Sequence, residues 1–380
     1  MKKKLIFPAL LLSAVLLAAV LMMGRYAAHR AGDAGLAEET NAVASEVPGG
    51  EETTPEPTPA PTPKPTPAPT PTPVWTPPAL REPELCESEL DTALFEPAEH
   101  RGTVSLVKYT TRDHVADGNY TIEKDMAVYL PYGYDESSRY DVLILLHCAW
   151  ADHRFWLAED REYRTAEGII PVSVPNILDH MIEEGLCRPT IVASPCIYLF
   201  DGHPNLSGNA YDYAQFTHEV GDDLLPYLAE NYATYAADGN REALREAREH
   251  FGFLGASFGA YTEHICVIAD NFDLAAWYTF CGGGAIDPGT LVNKWAEKGT
   301  SDLPLRLLLV SEGEFDDRQA PELSVMNLHY YGGKFTEDNV IFRLVPGWGH
   351  EDHSYLVGLY NTLQLFFRDA GEIHVEDITE

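Results

Sequence analysis

Residues 250–261 read His250-Phe251-Gly252-Phe253-Leu254-Gly255-Ala256-Ser257-Phe258-Gly259-Ala260-Tyr261, or HFGFLGASFGAY. Phe251–Ala256 is short and nearly all apolar, as a strand covered on both faces must be. It runs into Gly255-Ala256-Ser257-Phe258-Gly259, a G-x-S-x-G pattern, and the helical stretch Ala260–Ala269 follows. A strand that turns sharply into a helix strains the residue at the turn. Glycines on either side let neighbouring backbone pass close. The turn lifts the serine hydroxyl into solvent at the helix N-terminus, where the dipole favours a developing anion. Ser257 therefore reads as a nucleophile.

A serine nucleophile needs a base, and the base needs an acid to orient it. After the apolar run Leu305–Ser311 comes Glu312-Gly313-Glu314-Phe315-Asp316-Asp317. After Asn339–Pro346 comes Gly347-Trp348-Gly349-His350-Glu351-Asp352-His353. Acid and histidine thus follow the serine in the chain order known for this arrangement, each at a strand end. His350 directly follows its strand and is the base, whereas His353 opens the final helix and reads as structural. Glu312, Glu314, Asp316 and Asp317 are not ranked by these residues alone. Glu351 and Asp352 flank His350 with negative charge, which is expected to favour its protonated form.

Seven further apolar runs surround this core: Val104–Thr111, Met126–Tyr132, Val142–His147, Thr190–Cys196, Ala275–Cys281 and the two that precede the acid and the histidine, eight in all with Phe251–Ala256. Amphipathic stretches lie between them at Pro175–Glu184, Phe216–Tyr232 and Tyr355–Phe367. Strands alternating with helices imply right-handed crossovers and one α/β domain, with a mostly parallel eight-stranded sheet and helices on both faces. The first strands lack helices between them and should form an antiparallel edge.

The stretches MAVYLPYGYDESSRYDVLILLHCAW, NILDHMIEEGLCRPTIVASP, DDLLPYLAENY, HFGFLGASFGAY and GWGHEDHSYLVGLY carry a resemblance. From about Val104 to Phe367 the chain resembles the esterase D–like branch of the α/β-hydrolases. That branch holds feruloyl esterases, acetylxylan esterases and other carbohydrate esterase family 1-like enzymes. The resemblance implies the α/β-hydrolase fold, Ser257 as nucleophile and His350 as base. The family's G-x-x-D falls here on Gly313-Glu314-Phe315-Asp316, which selects Asp316 as the acid. The chain departs from the family at HCAW, where a histidine and glycines are usual, and at Phe258-Gly259-Ala260, where Met-Gly-Gly is common.

An oxyanion hole needs two backbone N–H groups. Phe258, next to the nucleophile, is expected to supply one, and Cys148 or Ala149 in the loop after Val142–Leu146 the other. Trp150, Trp156 and Tyr198 are the expected substrate-binding aromatics, suited to a neutral sugar or a phenolic acyl group. The expected reaction is hydrolysis of carboxylic esters, feruloyl or acetyl, through an acyl-enzyme, with no cofactor and no metal. His147, Asp152, His153, His350, Asp352 and His353 match no standard metal spacing. An acyltransferase on the same scaffold, or a surface-tethered binding module with a degenerate site, are the alternatives.

Residues 1–80 hold six basic and seven acidic side chains, and residues 81–380 hold 20 and 52, so the catalytic region carries nearly all of the net charge of −33. Such a surface repels phosphate backbones and anionic lipids, which excludes nucleic acid as a partner. Lys2-Lys3-Lys4 precede an apolar run from Leu5 to Met23, the pattern of a signal anchor or signal peptide in residues 1–30. Residues 31–80 read as a disordered linker. Its Pro55–Pro78 stretch holds 12 of the chain's 27 prolines, and as a polyproline helix it would reach roughly 70 Å. The expected location of the 81–380 domain is extracellular, held to a membrane through its N-terminal segment only. Cys86, Cys148, Cys187, Cys196, Cys266 and Cys281 could form three bridges, although Cys148, Cys266 and Cys281 lie in apolar surroundings that suit buried thiols.

Overall fold

The computed structural model describes residues 75–115, 121–198, 210–283, 286–316 and 319–369. The signal segment and most of the proline-rich stretch lie outside the described residues. The described residues start inside the run read as linker. Trp75 stacks on His100 at 5.0 Å and meets Tyr132 edge-on at 5.4 Å, and Arg81 N–H donates to Gly185 O at 2.8 Å.

Eight strands form one sheet: β1 (Thr103–Arg112), β2 (Thr121–Leu130), β3 (Asp141–Leu146), β6 (Thr190–Pro195), β7 (Phe251–Ala256), β8 (Trp277–Cys281), β9 (Leu307–Gly313) and β10 (Val340–Val345). Their spatial order is β1-β2-β6-β3-β7-β8-β9-β10. β1 and β2 pair antiparallel, β2 meets β6 antiparallel, and every later pairing is parallel. The antiparallel edge is thus where the absence of intervening helices put it. β2 starts five residues earlier than its apolar run, because its first half (Thr121-Ile122-Glu123-Lys124-Asp125) is polar and half exposed at that edge.

Every residue of β3, β6, β7, β8 and β9 is buried, as a sheet covered on both faces requires. Alternation along β3 sorts the two cores. Val142, Ile144 and Leu146 pack on the face covered by Val220 and Leu224, by Val267 and by Trp295. Leu143 and Leu145 face the opposite core with helix α1 (Val174–Glu183) and the final helix (Asp352–Leu365), through Ile177, Met181, Leu356 and Leu359.

Three helices were not anticipated, at Arg241–Glu246, Pro288–Lys298 and Gln319–Tyr331, nor was the hairpin of β4 (Arg161–Thr165) and β5 (Gly168–Val172). That hairpin reads REYRT and GIIPV, a short polar strand and a proline-bearing one, without the apolar run that marks the central strands. Among the described residues no helix is long and apolar enough to cross a membrane, and no disulfide forms. Cys187 and Cys266 are buried, which pushes both thiols up to about 12.

Candidate active site

β7 ends on Ser257, whose backbone lies at φ +53°, a left-handed value that a serine rarely adopts. Its N–H donates to Cys281 O at 2.7 Å, which ties the strained residue to the neighbouring strand β8. The flanking glycines are required by contact. A Cβ on Gly255 would strike the Gly259 backbone, and one on Gly259 would strike Leu146 O and sit 2.8 Å from His147 O. The helical segment from Phe258 to Ala269 can approach β3 this closely only with glycine at 259.

The sharp turn points Ser257 at two loops. Ser257 Oγ and His350 Nε2 are 2.7 Å apart, and His350 Nδ1 is 2.7 Å from Asp316 Oδ2. With Asp316 ionised, Nδ1 carries the proton and donates to it, leaving Nε2 to accept from the serine hydroxyl. The two loops are joined by backbone: Phe315 N–H donates to Trp348 O at 2.8 Å, and Gly347 N–H donates to Glu314 Oε2 at 2.9 Å. Ser354 Oγ donates to Gly349 O at 2.8 Å and secures the histidine loop from the final helix.

The same contacts separate the acids that spacing left unranked. Glu312 is buried and accepts from Gly283 N–H at 2.7 Å, Glu314 is taken by Gly347, and Asp316 alone among the described candidates meets the imidazole. Asp317 lies outside the described residues. Tyr355, not singled out from the sequence, stands edge-on to His350 at 5.6 Å.

The negative flank expected around His350 is spent elsewhere. Glu351 pairs with Arg164 at 2.7 Å, and Asp352 accepts from Glu162 N–H at 3.2 Å beside Arg161 at 3.7 Å. Both carboxylates are held by the β4–β5 hairpin, which the sequence did not disclose.

Close packing of Gly259 on Leu146 and His147 also brings the Cys148–Ala149 loop beside the turn that holds Phe258. His147 is fully buried, and burial lowers its pKa to about 4, so it is neutral. Its Nδ1–H donates to Cys148 O at 2.8 Å while Nε2 accepts from Ile197 N–H at 3.0 Å. A histidine thus fixes the shape of a loop that lacks the usual glycines.

The three expected substrate aromatics part company. Trp150 is 48% exposed, at φ +68°, and its N–H donates to Tyr198 OH at 3.2 Å. Tyr198 is nearly buried and stacks on Phe258 at 5.8 Å, while Tyr213 stacks on the same ring at 5.7 Å. Trp156 is a correction: it is fully buried and its indole N–H donates to Leu146 O at 3.2 Å, so it belongs to the core. Most of the polar insert after Tyr198 lies outside the described residues. Phe315, which the sequence reading passed over, is 71% exposed beside Asp316.

His353 is structural, as its place at the helix start suggested. Its ring is sandwiched between Tyr163 at 4.0 Å and Trp348 at 3.6 Å, and its Nε2–H donates to Ser88 O at 2.6 Å. Burial lowers its pKa and keeps it neutral. Leu90 N–H donates to Tyr163 OH, so the segment near Ser88 braces the loop that carries His350. His353→Ala is expected to lower stability by about 2–4 kcal/mol, read as a fall in Tm. His353→Phe keeps the stack and loses one hydrogen bond, so its fall should be less than half as large. Equal losses in the two variants would show that the stack contributes little.

No family model matches the chain. It is 28% identical over 262 residues to endo-1,4-beta-xylanase Y of Acetivibrio thermocellus, covering 65% of this chain and 22% of that protein. The chain therefore spans about a fifth of that relative's length. Among solved structures, it is 24% identical to one named FAE, covering 78% of this chain and 98% of the other, with a TM-score of 0.61. The feruloyl esterase module from Clostridium thermocellum complexed with sinapinate is 21% identical, with coverages of 78% and 99% and a TM-score of 0.59. A CE1 ferulic acid esterase from Anaeromyces mucronatus in complex with ferulic acid is 20% identical, with coverages of 77% and 99% and a TM-score of 0.56. With the strand order and the serine turn, these likenesses show that the chain has the α/β-hydrolase fold, which it shares with the solved feruloyl esterases.

Proposed function

We propose that the chain is a serine carboxylic ester hydrolase that removes acyl groups, feruloyl or acetyl, from plant polysaccharide. The observation that carries this reading is the unbroken line Ser257–His350–Asp316, with 2.7 Å at each step. Ser257 Oγ attacks the ester carbonyl while His350 Nε2 takes its proton, and Asp316 stabilises the imidazolium that forms. Phe258 N–H and a backbone donor from Cys148 or Ala149 receive the oxyanion. His350 then protonates the departing alcohol. Water, activated by the same imidazole, attacks the acyl-enzyme and releases the acid, so the cycle needs no cofactor.

The polysaccharide rests on two supports. The exposed rings of Trp150 and Phe315 offer flat apolar faces near the reacting groups, which suit a neutral sugar or a phenolic ring. The relative at 28% identity is named as a xylanase, and two structural neighbours hold sinapinate or ferulic acid. A net charge of −33 also disfavours anionic polymers. The basic and apolar N-terminal stretch followed by a proline-rich spacer supports an activity outside the cell, on a tether or secreted.

The test is a substrate panel on the purified protein: methyl ferulate, acetylated xylan and p-nitrophenyl acetate. Release of acid from at least one ester, with a fluorophosphonate label on Ser257, is the expected result. Absence of both hydrolysis and labelling would leave a non-catalytic module.

A further inference from the structure

We infer that His114, His218 and Asp222 form a binding site for a divalent transition-metal ion of the zinc class, remote in role from the serine chemistry. One donor atom from each of the three lies within 4.8 Å of the others. His114 follows β1, and His218 and Asp222 sit one turn apart where the helix Ala210–Glu219 passes into a π-helical turn, Val220–Leu224. Such widened turns recur at functional sites because they re-aim side chains that an α-helix would direct elsewhere.

His114 and His218 are nearly parallel, 19° apart, and their centroids are 5.4 Å apart. His218 Nδ1 is 3.6 Å from Asp222 Oδ2, a gap that an ion can bridge with little movement of two exposed side chains.

The buried side of the site is already prepared. His114 is about 10% exposed, and its Nε2 lies 2.6 Å from Asp223 Oδ2, which also accepts from Thr111 Oγ1 at 2.7 Å. A carboxylate on one imidazole nitrogen fixes the tautomer and makes the other nitrogen a better ligand, the usual outer support of a histidine that binds metal. With Nε2 committed to Asp223, Nδ1 is the nitrogen that can ligate. Gln215 secures the backbone, accepting from His114 N–H at 2.8 Å and donating to Arg112 O at 2.7 Å. Arg112 Nε stands 4.0 Å from Asp223 Oδ1 and balances the outer carboxylate rather than Asp222. Two imidazoles and one carboxylate match zinc, and water completes the tetrahedron. The ion would clasp His114, just after β1, to the helix.

The other histidine–carboxylate group among the described residues, Glu99, His100 and Glu183, offers one imidazole, which is paired with Glu183 at 2.6 Å and stacked on Trp75. It serves as the internal control. The experiment titrates zinc alone into the full chain after chelator treatment, read by calorimetry and by thermal melting. One zinc per chain and a Tm that rises with zinc concentration are expected in the native protein and in His100→Ala. His218→Ala, at an exposed position, should lose both effects, and His114→Ala should follow it. Asp223→Asn should weaken zinc by about tenfold or more. Hydrolysis of p-nitrophenyl acetate should be the same in His218→Ala as in the native protein, which keeps this result independent of the esterase reading. No zinc binding by the native protein overturns the proposal, as does native affinity in His218→Ala.

Discussion

Ser257→Ala is expected to lower kcat for p-nitrophenyl acetate by about four orders of magnitude or more, with far less change in KM. Alanine leaves the oxyanion donors and the aromatic rim in place but removes the atom that becomes acylated. His350 then has no hydroxyl to activate, so the covalent route closes and only the electrostatic part of catalysis survives. The fold should be untouched, because the residue at φ +53° changes by one oxygen and its N–H bond to Cys281 is kept. Steady-state kinetics, circular dichroism and the loss of fluorophosphonate labelling check this together. A variant that turns over like the native protein would remove Ser257 from the mechanism.

The largest structural effect is expected from Gly259→Val. Its Cβ would strike Leu146 O and lie 2.8 Å from both His147 O and Leu146 C, all main-chain atoms of β3 and the loop after it. Neither side can rotate out of the way, so the helix must withdraw from the sheet. A cost of about 3 kcal/mol or more follows, together with displacement of Ser257 and of the loop that carries Cys148. Gly332→Val is the contrast, since it has a positive φ of 70° but nothing within 4 Å of its added Cβ. It carries backbone strain only, about 1–2 kcal/mol. Thermal melts of the pair decide the matter: a smaller Tm loss in Gly259→Val than in Gly332→Val would contradict the close-approach argument.

The reading of the sequence was strongest where local chemistry and burial agree. The parallel strands are short apolar runs because both of their faces are covered, and β7 could be placed to the residue. The Ser257 turn was legible because its glycines lie two residues either side of the serine, Gly255 against the turn's own backbone and Gly259 against Leu146 and His147. His350 was separable from His353 by its place between strand and helix. Asp316 was not separable from its acidic neighbours by spacing alone. Which carboxylate meets an imidazole 34 residues away depends on how Glu312 and Glu314 are occupied by Gly283 and Gly347.

Neighbours in sequence are not always neighbours in space. Trp156 follows the oxyanion loop within eight residues of Cys148, yet it turns inward to Leu146. Glu351 and Asp352 touch His350 in sequence, yet arginines of a distant hairpin hold their charges.

By itself, then, the sequence determined an α/β chain with a strand–serine–helix turn, followed by an acid and a histidine in catalytic order. Those features follow from periodicity and turn chemistry, which act within a few residues, and from chain order, which is read directly along the sequence. Tertiary structure alone decided which acid meets the histidine, which aromatics face solvent, and what braces the histidine loop. Those depend on side chains brought together across the sheet ends, where hydrogen-bond partners and burial are set by packing rather than by spacing.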